Sequence, residues 1–339
     1  MKTLIILIAS FVLISCNSEL DSLFFQQFQK FIKKYNKKYT SIDEFLVRYQ
    51  VFKNNVMSII NSEKSSFKSG INQFSDLTEE EFSKAYLNLN YDDIANINIS
   101  PYVVKNTKSA PDSFNWVTEG RVGGLRSLGS CTASWALTAI QNLEGLYCGL
   151  KGKFEYLSIQ MLIDCDTQDS GCSGGLMHNA FDWIVKNGGG VMSEKDYPYV
   201  GYKSSCKYDQ AKAVDMRVTG YKKLGDSSST FSPVDEDEIK EFLYQTGPLS
   251  IALNAKMLQT YSGGVIDATE AQCPSSGINH CVLLVGYGTD SSLGLDFWVA
   301  QNSWGKAWGE SGYFRIRRGN GTCGVNCYIT TATVTSGLS

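Results

Sequence analysis

The sequence predicts an α+β protein built from two modules, the second divided into a helical lobe and a β-rich lobe. Helical hydrophobic spacing runs through the first sixty or so residues and returns between about 134 and 187. Short β-rich runs broken by glycine fill the chain from about residue 247 onward, and a polar, Asn-rich stretch separates the modules. Helices followed by strands favour α+β with a cleft between lobes over an alternating α/β sheet. A chain of 339 residues, 43% apolar, is long enough for two domains with cores of their own. With 31 basic against 34 acidic residues, a net charge of −3 and no sustained Lys/Arg block, a phosphate-binding surface for nucleic acid is not expected. Two histidines in the whole chain, His178 and His280, leave little for imidazole metal chemistry, so no metal and no cofactor is expected.

Residues 1–18 read as a signal peptide: Lys2 precedes the apolar run Leu4–Ile14, which ends in small and polar residues at Ser15, Cys16 and Ser18. The run is too short to cross a bilayer, which takes about 18 apolar residues or more, so no membrane contact is expected once it is removed. Over residues 19–85, Leu23, Phe24, Phe28 and Phe31, then Phe45, Tyr49, Phe52, Val56 and Ile59, recur at helical spacing. They predict two amphipathic helices broken near Tyr39–Ser41, with Lys33, Lys34, Lys37 and Lys38 on the solvated side. Residues 86–110 have the composition of a linker, and 111–339 form the larger module. Helical patterns lie at Trp135–Leu150, Gln160–Asp164 and Met177–Asn187, and strands at Leu249–Leu253, Cys281–Tyr287 and Phe297–Ala300.

Ten cysteines less Cys16 leave nine, which in an oxidising compartment imply disulfides and at least one thiol that is free or paired with another chain. Their connectivity stays open at this level. Asn98-Ile-Ser100 and Asn320-Gly-Thr322 are candidate glycosylation sites, in keeping with a secretory route.

Three places suggest nucleophilic catalysis, in which partners distant in sequence meet in space. They are the Ser134-Trp135 step opening a helix, His280 at the start of a β-run, and Asn302 in Asn302-Ser303-Trp304-Gly305. Here the chain resembles the papain family, and its cathepsin L-like branch in particular. Pro111 to Trp116 resembles that family's mature N-terminus, and Gly129-Ser130-Cys131 with Trp135-Ala136 its active-site helix. The segment Gly171 to Met177, Tyr197-Pro198-Tyr199, Val285 to Gly288 and Trp308-Gly309 follow in family order. In the first module, Glu44, Arg48, Phe52, Asn55 and Ile59 fit the propeptide helix pattern E-x3-R-x3-F-x2-N-x3-I, with Glu63 where that pattern ends in Asn. Gly70, Asn72, Phe74 and Asp76 fit its G-x-N-x-F-x-D strand.

The resemblance implies a papain-like two-lobe fold, a helical lobe plus a β-barrel-like lobe, with an α-helical inhibitory propeptide lying across the cleft. It implies the disulfides Cys131–Cys172, Cys165–Cys206 and Cys273–Cys323, leaving Cys148, Cys281 and Cys327 as extras, two of which could form a fourth bridge. It places Gly174, Gly175, Leu176, Met177, Cys281, Trp304 and Tyr328 along the substrate cleft, with Tyr328 shortening the main pocket. Cys281 reads as a small buried hydrophobe, with a reactive thiol as the alternative, and His178 as a surface residue.

The pattern breaks at two positions. The residue before Trp135, where the family carries its nucleophilic cysteine, is Ser134, and the oxyanion-hole glutamine position is Leu128. A thiol at a helix N-terminus beside an imidazole ionises readily, and a hydroxyl does not. Losing one oxyanion donor costs about 10²- to 10³-fold in turnover. A serine at a helix start is also a common N-cap. The reading is therefore a catalytically inactive, secreted or endolysosomal, monomeric homologue that binds a peptide or protein ligand as well as its own propeptide. The alternatives are a slow hydrolase using Ser134 and His280, by analogy with silicatein-type relatives that carry serine there but keep the glutamine, and a purely structural secreted protein.

Overall fold

The computed structural model of the chain describes residues 2–61, 65–87, 89, 101–102, 109–225 and 233–337, with side chains described throughout except in 2–18 and 101–102. Helices α1 (Lys2–Tyr35) and α2 (Ile42–Asn61) flank the predicted break. Asn36, at φ 49°, turns the chain out of α1, and asparagine tolerates that left-handed region better than most residues. The two helices close on Phe24, Phe28, Phe31, Phe52 and Val56, a small core of their own. Spacings of four and three residues put Arg48, Phe52 and Asn55 on one face of α2. Phe52 fills that core, while the Asn55 amide donates to the carbonyls of Ser75 and Leu77, and Arg48 donates to the Asp76 carbonyl.

A short strand, β1 (Phe67–Ser69), precedes the Gly70–Asp76 stretch, which is a series of turns and not the strand its motif suggested. The cause is local: the Asn72 side chain accepts from Phe74 N–H and the Ser75 side chain accepts from Asn72 N–H, so side chains close the backbone on itself. Thr78 and Glu81 then form a reciprocal capping box that starts α3 (Glu79–Tyr86).

The larger module opens its helical lobe with α4 (Ser134–Lys151), followed by α5 (Ile159–Cys165) and α6 (Met177–Lys186), and α7 (Glu236–Thr246) lies later. Residues Ser134 to Gly145 of α4 are all buried, because one side meets the helical lobe and the other the sheet. The remaining strands are β2 (Pro101–Tyr102), β3 (Phe114–Asn115), β4 (Arg217–Leu224), β5 (Leu249–Leu253), β6 (Tyr261–Ile266), β7 (His280–Asp290), β8 (Leu295–Gln301), β9 (Tyr313–Arg317) and β10 (Tyr328–Thr335). The sheet runs β1-β6-β9-β8-β7-β5-β10-β4-β2, with β3 paired to β7. The first module's strand β1 is thus an added edge strand, antiparallel to β6.

Disulfides join Cys131 to Cys172, Cys165 to Cys206 and Cys273 to Cys323. No fourth bridge forms: Cys148, Cys281 and Cys327 are all free thiols. They point to different places, Cys148 toward the Gly120 carbonyl, Cys281 toward Ser134 and Cys327 toward the Asn326 side chain.

Besides the β1–β6 pairing, the first module is docked on the second around one indole. Phe74 and Phe82 meet the Trp304 ring edge-on at 5.2 and 5.3 Å, and Gln73 donates to the Trp304 carbonyl at 2.7 Å. Asn72 donates to the Gln259 carbonyl while Gln259 donates to the Leu77 carbonyl, a reciprocal pair across the interface. The docked segment continues past α3, where Leu87 and Leu89 are buried and Leu89 N–H donates to the Asn279 carbonyl, next to His280. Phe74→Ala is expected to weaken this docking by about 3–5 kcal/mol, the usual cost of emptying a buried phenyl site. Amide hydrogen exchange should then accelerate across residues 67–86 while α4 and α5 stay protected; unchanged exchange there would show that the ring does not hold the propeptide.

Candidate functional site

His280 opens β7 and Asn302 follows the end of its antiparallel neighbour β8, so strand pairing brings them together. His280 Nε2 lies 2.9 Å from Asn302 Oδ1, under the stacked Trp304 ring at 4.9 Å. An amide oxygen only accepts, so this pairing assigns the proton of the neutral ring to Nε2 and leaves Nδ1 as the acceptor. Nδ1 is buried and has no hydrogen-bond partner among the described residues. Burial pushes the imidazole down to about 4, against the opposing effect of its bond to Asn302.

Ser134 is the first residue of α4. It is not the N-cap: Ala133 holds that position and makes no side-chain cap bond. The Ser134 side chain lies beside the thiol of Cys281, whose own proton is held well above the usual thiol range, chiefly by complete burial and against the opposing effect of Ser134. Around it the start of α4 is tied to the Gly171–Cys172 wall three ways: by the Cys131–Cys172 disulfide, by the Thr132 hydroxyl donating to the Cys172 carbonyl, and by Trp135 Nε1 donating to the Gly171 carbonyl.

Leu128 is buried, and its side chain offers the site no donor. Its backbone carbonyl accepts from the Tyr199 hydroxyl at 2.6 Å and from Cys131 N–H at 3.2 Å, which holds the loop before α4 in place.

The strand registers place Cys281 opposite Ala252 and Ala252 opposite Tyr328, so the three form a row across β7, β5 and β10. Leu176 and Met177 bury against the same core. Tyr328 is wholly buried, and its hydroxyl meets Nδ1 of His178 at 2.5 Å. His178 is therefore not a surface residue: α6 turns it inward to close the end of this row, and burial pushes its imidazole down to about 4. A glycine is required at Gly175, since a Cβ there would fall 2.6 Å from the Asp169 carboxyl carbon and 2.7 Å from the Trp135 ring. Gly174, beside it, sits at φ 125°, a region that favours glycine.

Among the described residues no group of three or more His, Cys, Asp or Glu side chains could hold a metal ion. Asn320 is exposed, and Asn98 lies outside the described residues. Residues that pattern reading passed over include Phe82 and Tyr86, which cover Trp304 from α3. The Thr78-x-x-Glu81 capping box is the signal that would have found this helix.

A family model for papain family cysteine proteases matches residues 110–333, and one for the cathepsin propeptide inhibitor domain matches residues 28–82. The chain is 38% identical over 331 residues to a probable cysteine protease, RD19B, of Arabidopsis thaliana, covering 91% of this chain and 87% of that one. It is 37% identical over 322 residues to cysteine proteinase 15A of Pisum sativum, covering 90% and 85%. The solved digestive procathepsin L2 proteinase of Tenebrio molitor larval midgut superposes with a TM-score of 0.81 at 31% identity, covering 91% of this chain and 99% of that one.

Both histidines are held neutral by burial, which fixes the sign of their pH dependence. An unfolded imidazole takes up its proton near pH 6.5, whereas the folded ones resist until about 4, so their contribution to stability is present above pH 6.5 and is lost as pH falls toward 4. The proton NMR signals of both rings are expected to stay in their neutral positions down to about pH 5 in the full chain. A His280 ring that titrates near 6.5 would show that the propeptide does not seal the site, and a His178 ring that does so would show that Tyr328 does not hold it inside.

Proposed function

Since the chain belongs to the papain family of cysteine proteases and carries that family's inhibitory propeptide, we propose that it is a catalytically silent member whose cleft binds an extended peptide or protein segment. One observation carries this reading: a hydroxyl stands at the head of α4, beside Cys281, while the His280 base has no partner on Nδ1. Thiolate chemistry stores a charged nucleophile before substrate arrives. Ser134 has no thiol to ionise, and its hydroxyl would have to yield its proton to His280 during attack. Leu128 then removes a donor from the place where negative charge would develop, a loss of about 10²- to 10³-fold in comparable sites. The two losses do not simply multiply, because catalytic groups act as a unit.

A second reading, slow hydrolysis through Ser134, is favoured by the His280–Asn302 pair. The tautomer that Asn302 imposes leaves Nδ1 as a neutral acceptor at ordinary pH, which is what a general base requires.

The remaining assignments belong to the same proposal. Residues 1–18 direct the chain into the secretory pathway, to the outside or to an endolysosomal compartment; 19–85 act as the propeptide, 86–110 as the linker, and 111–339 as the peptidase-like domain, working as a monomer. Asn98 and Asn320 are the glycan acceptors. Gly174, Gly175, Leu176, Met177, Cys281, Trp304 and Tyr328 contact the ligand, with Tyr328 and His178 limiting the depth of the pocket. A chain without a working nucleophile does not remove its own propeptide, so maturation depends on another protease.

The test is turnover of a fluorogenic peptide panel at acidic and neutral pH, after the propeptide has been removed by an added protease. The native protein is expected to be silent, unlabelled by a fluorophosphonate and unable to convert its own precursor, while Ser134→Cys combined with Leu128→Gln is expected to cleave. Turnover by the native protein that Ser134→Ala abolishes would overturn the silent reading in favour of the serine hydrolase.

A further inference from the structure

The segment that opens the larger module is held from its first residue. Ser109 is exposed, whereas Ala110 is buried and its backbone N–H donates to Glu241 Oε1 of α7 at 2.8 Å. Pro111 brings no N–H, and Asp112 and Ser113 are exposed. Beyond them Phe114 and Asn115 pair as β3 with Tyr287 and Gly286 of β7. Trp116 N–H donates to the Val285 carbonyl and Trp116 Nε1 to the Leu243 carbonyl of α7, both at 2.9 Å. The Phe114 ring meets Tyr244 of α7 edge-on at 4.9 Å. The chain is thus fixed to α7 and β7 by contacts that begin at Ala110, none of which needs residue 109. Ala110, assigned by composition to the linker, belongs by these contacts to the larger module.

Hydrolysis of the Ser109–Ala110 bond would change what Glu241 holds. The C–N bond breaks, the oxygen of one water completes a carboxylate on Ser109, and both protons of that water pass to the Ala110 nitrogen. A neutral donor becomes an ammonium in the same place. A buried ammonium is costly unless it is paired, and here a carboxylate already touches that nitrogen. The neighbouring groups leave this carboxylate available. Gln245 of α7 donates to Glu241 Oε2 at 3.5 Å, and Lys240 lies over the Tyr287 ring at 5.4 Å. Arg318 is paired with Asp237 and Asp296. The buried Tyr287 hydroxyl has no hydrogen-bond partner among the described residues; burial, then Glu241, Tyr244 and Asp112, hold its proton on against Arg318.

We propose that Glu241 is the seat of the mature amino terminus: removal of the first module ends at the Ser109–Ala110 bond, and the ammonium freed on Ala110 stays on the Glu241 carboxylate, tying the new chain end to α7. This rests on the reading above that another protease removes the propeptide. The larger module thereby gains an ion pair at the step in which it loses the propeptide's contacts on β6 and Trp304. The uncut chain does not need the charge, since an amide oxygen at position 241 would also accept from a backbone N–H. The cut chain does, because only a carboxylate balances the ammonium.

The experiment cuts the full chain with proteinase K, trims it with an aminopeptidase, removes both and reads the new end by N-terminal sequencing. The native protein is expected to begin at Ala110, and a protein that begins elsewhere overturns the proposal. The Ala110 amine is then acylated with an N-hydroxysuccinimide ester at pH 7, beside a free peptide with the sequence of residues 110–116, and labelling is followed by mass spectrometry. Held on Glu241, the amine is expected to react about tenfold more slowly than in the peptide, because less of it is unprotonated. Equal rates overturn the proposal. Glu241→Gln is expected to abolish the difference, and to lower the thermal midpoint of the cut protein but not of the uncut chain. An amine that stays slow in Glu241→Gln, or an equal loss of midpoint in cut and uncut chains, overturns the pairing in favour of a merely structural side chain. If Glu241→Gln does not fold, the pH profile of the native rate decides alone: pairing raises the amine's pKa above that of the peptide, and burial without a partner lowers it. Conversion of the precursor without added protease would sink the maturation reading and leave these rates unmoved.

Discussion

The indole of Trp304 lies flat over His280 at 4.9 Å, and its edges meet Phe74, Phe82 and Trp308. One side chain therefore does two kinds of work. It keeps water from the His280–Asn302 bond, and it supplies the surface on which the propeptide docks. The two roles are linked by exclusion of water. With Phe74, Phe82 and Leu89 in place the imidazole is buried completely and stays neutral, so the cover controls the charge of the site as well as access to it. Aromatic edge-to-face contacts suit this purpose because they add directional energy to the burial itself.

The scaffold around Ser134 does not depend on what its side chain can do. The start of α4 is fixed by a disulfide, by the Trp135 indole on the Gly171 carbonyl and by burial of the helix on both sides. None of these contacts uses the side chain of Ser134 or of Leu128. The loop before α4 is held by hydrogen bonds to the Leu128 carbonyl, which any residue would provide. Chemistry and architecture are separable here, so both positions can change while the cleft keeps its shape.

The legibility of the fold follows from how local each determinant is. The α2 motif is readable because Arg48, Phe52 and Asn55 must share a helix face, and the lengths of α4 and α6 are readable from an apolar period. The Gly70–Asp76 turns are not, because an alternating pattern there looks like a strand until the Asn72 and Ser75 side chains bond to the backbone and close it. His178 shows the same limit at longer range. Polar and lying on an amphipathic helix, it belongs on the surface by composition, and only the Tyr328 hydroxyl, 150 residues away, satisfies it inside. Asp169 is less legible still, since nothing in its spacing indicates that its carboxyl packs against Gly175.

Ser134, His280 and Asn302 also differ in what their presence implies. His280 and Asn302 satisfy one another and lie beneath Trp304, so packing alone is sufficient reason for both to persist. Had chemistry been lost and the cleft become idle, the wall of Gly174 and Gly175 would be free to accept side chains wherever space allowed. Gly175 has no such space, because Asp169 and Trp135 press against it from behind. The backbone facing the cleft is thus held from the interior by groups that take no part in a nucleophile's chemistry. Such a wall keeps its shape whatever side chain stands at position 134, which is what the peptide-binding role proposed above requires of it.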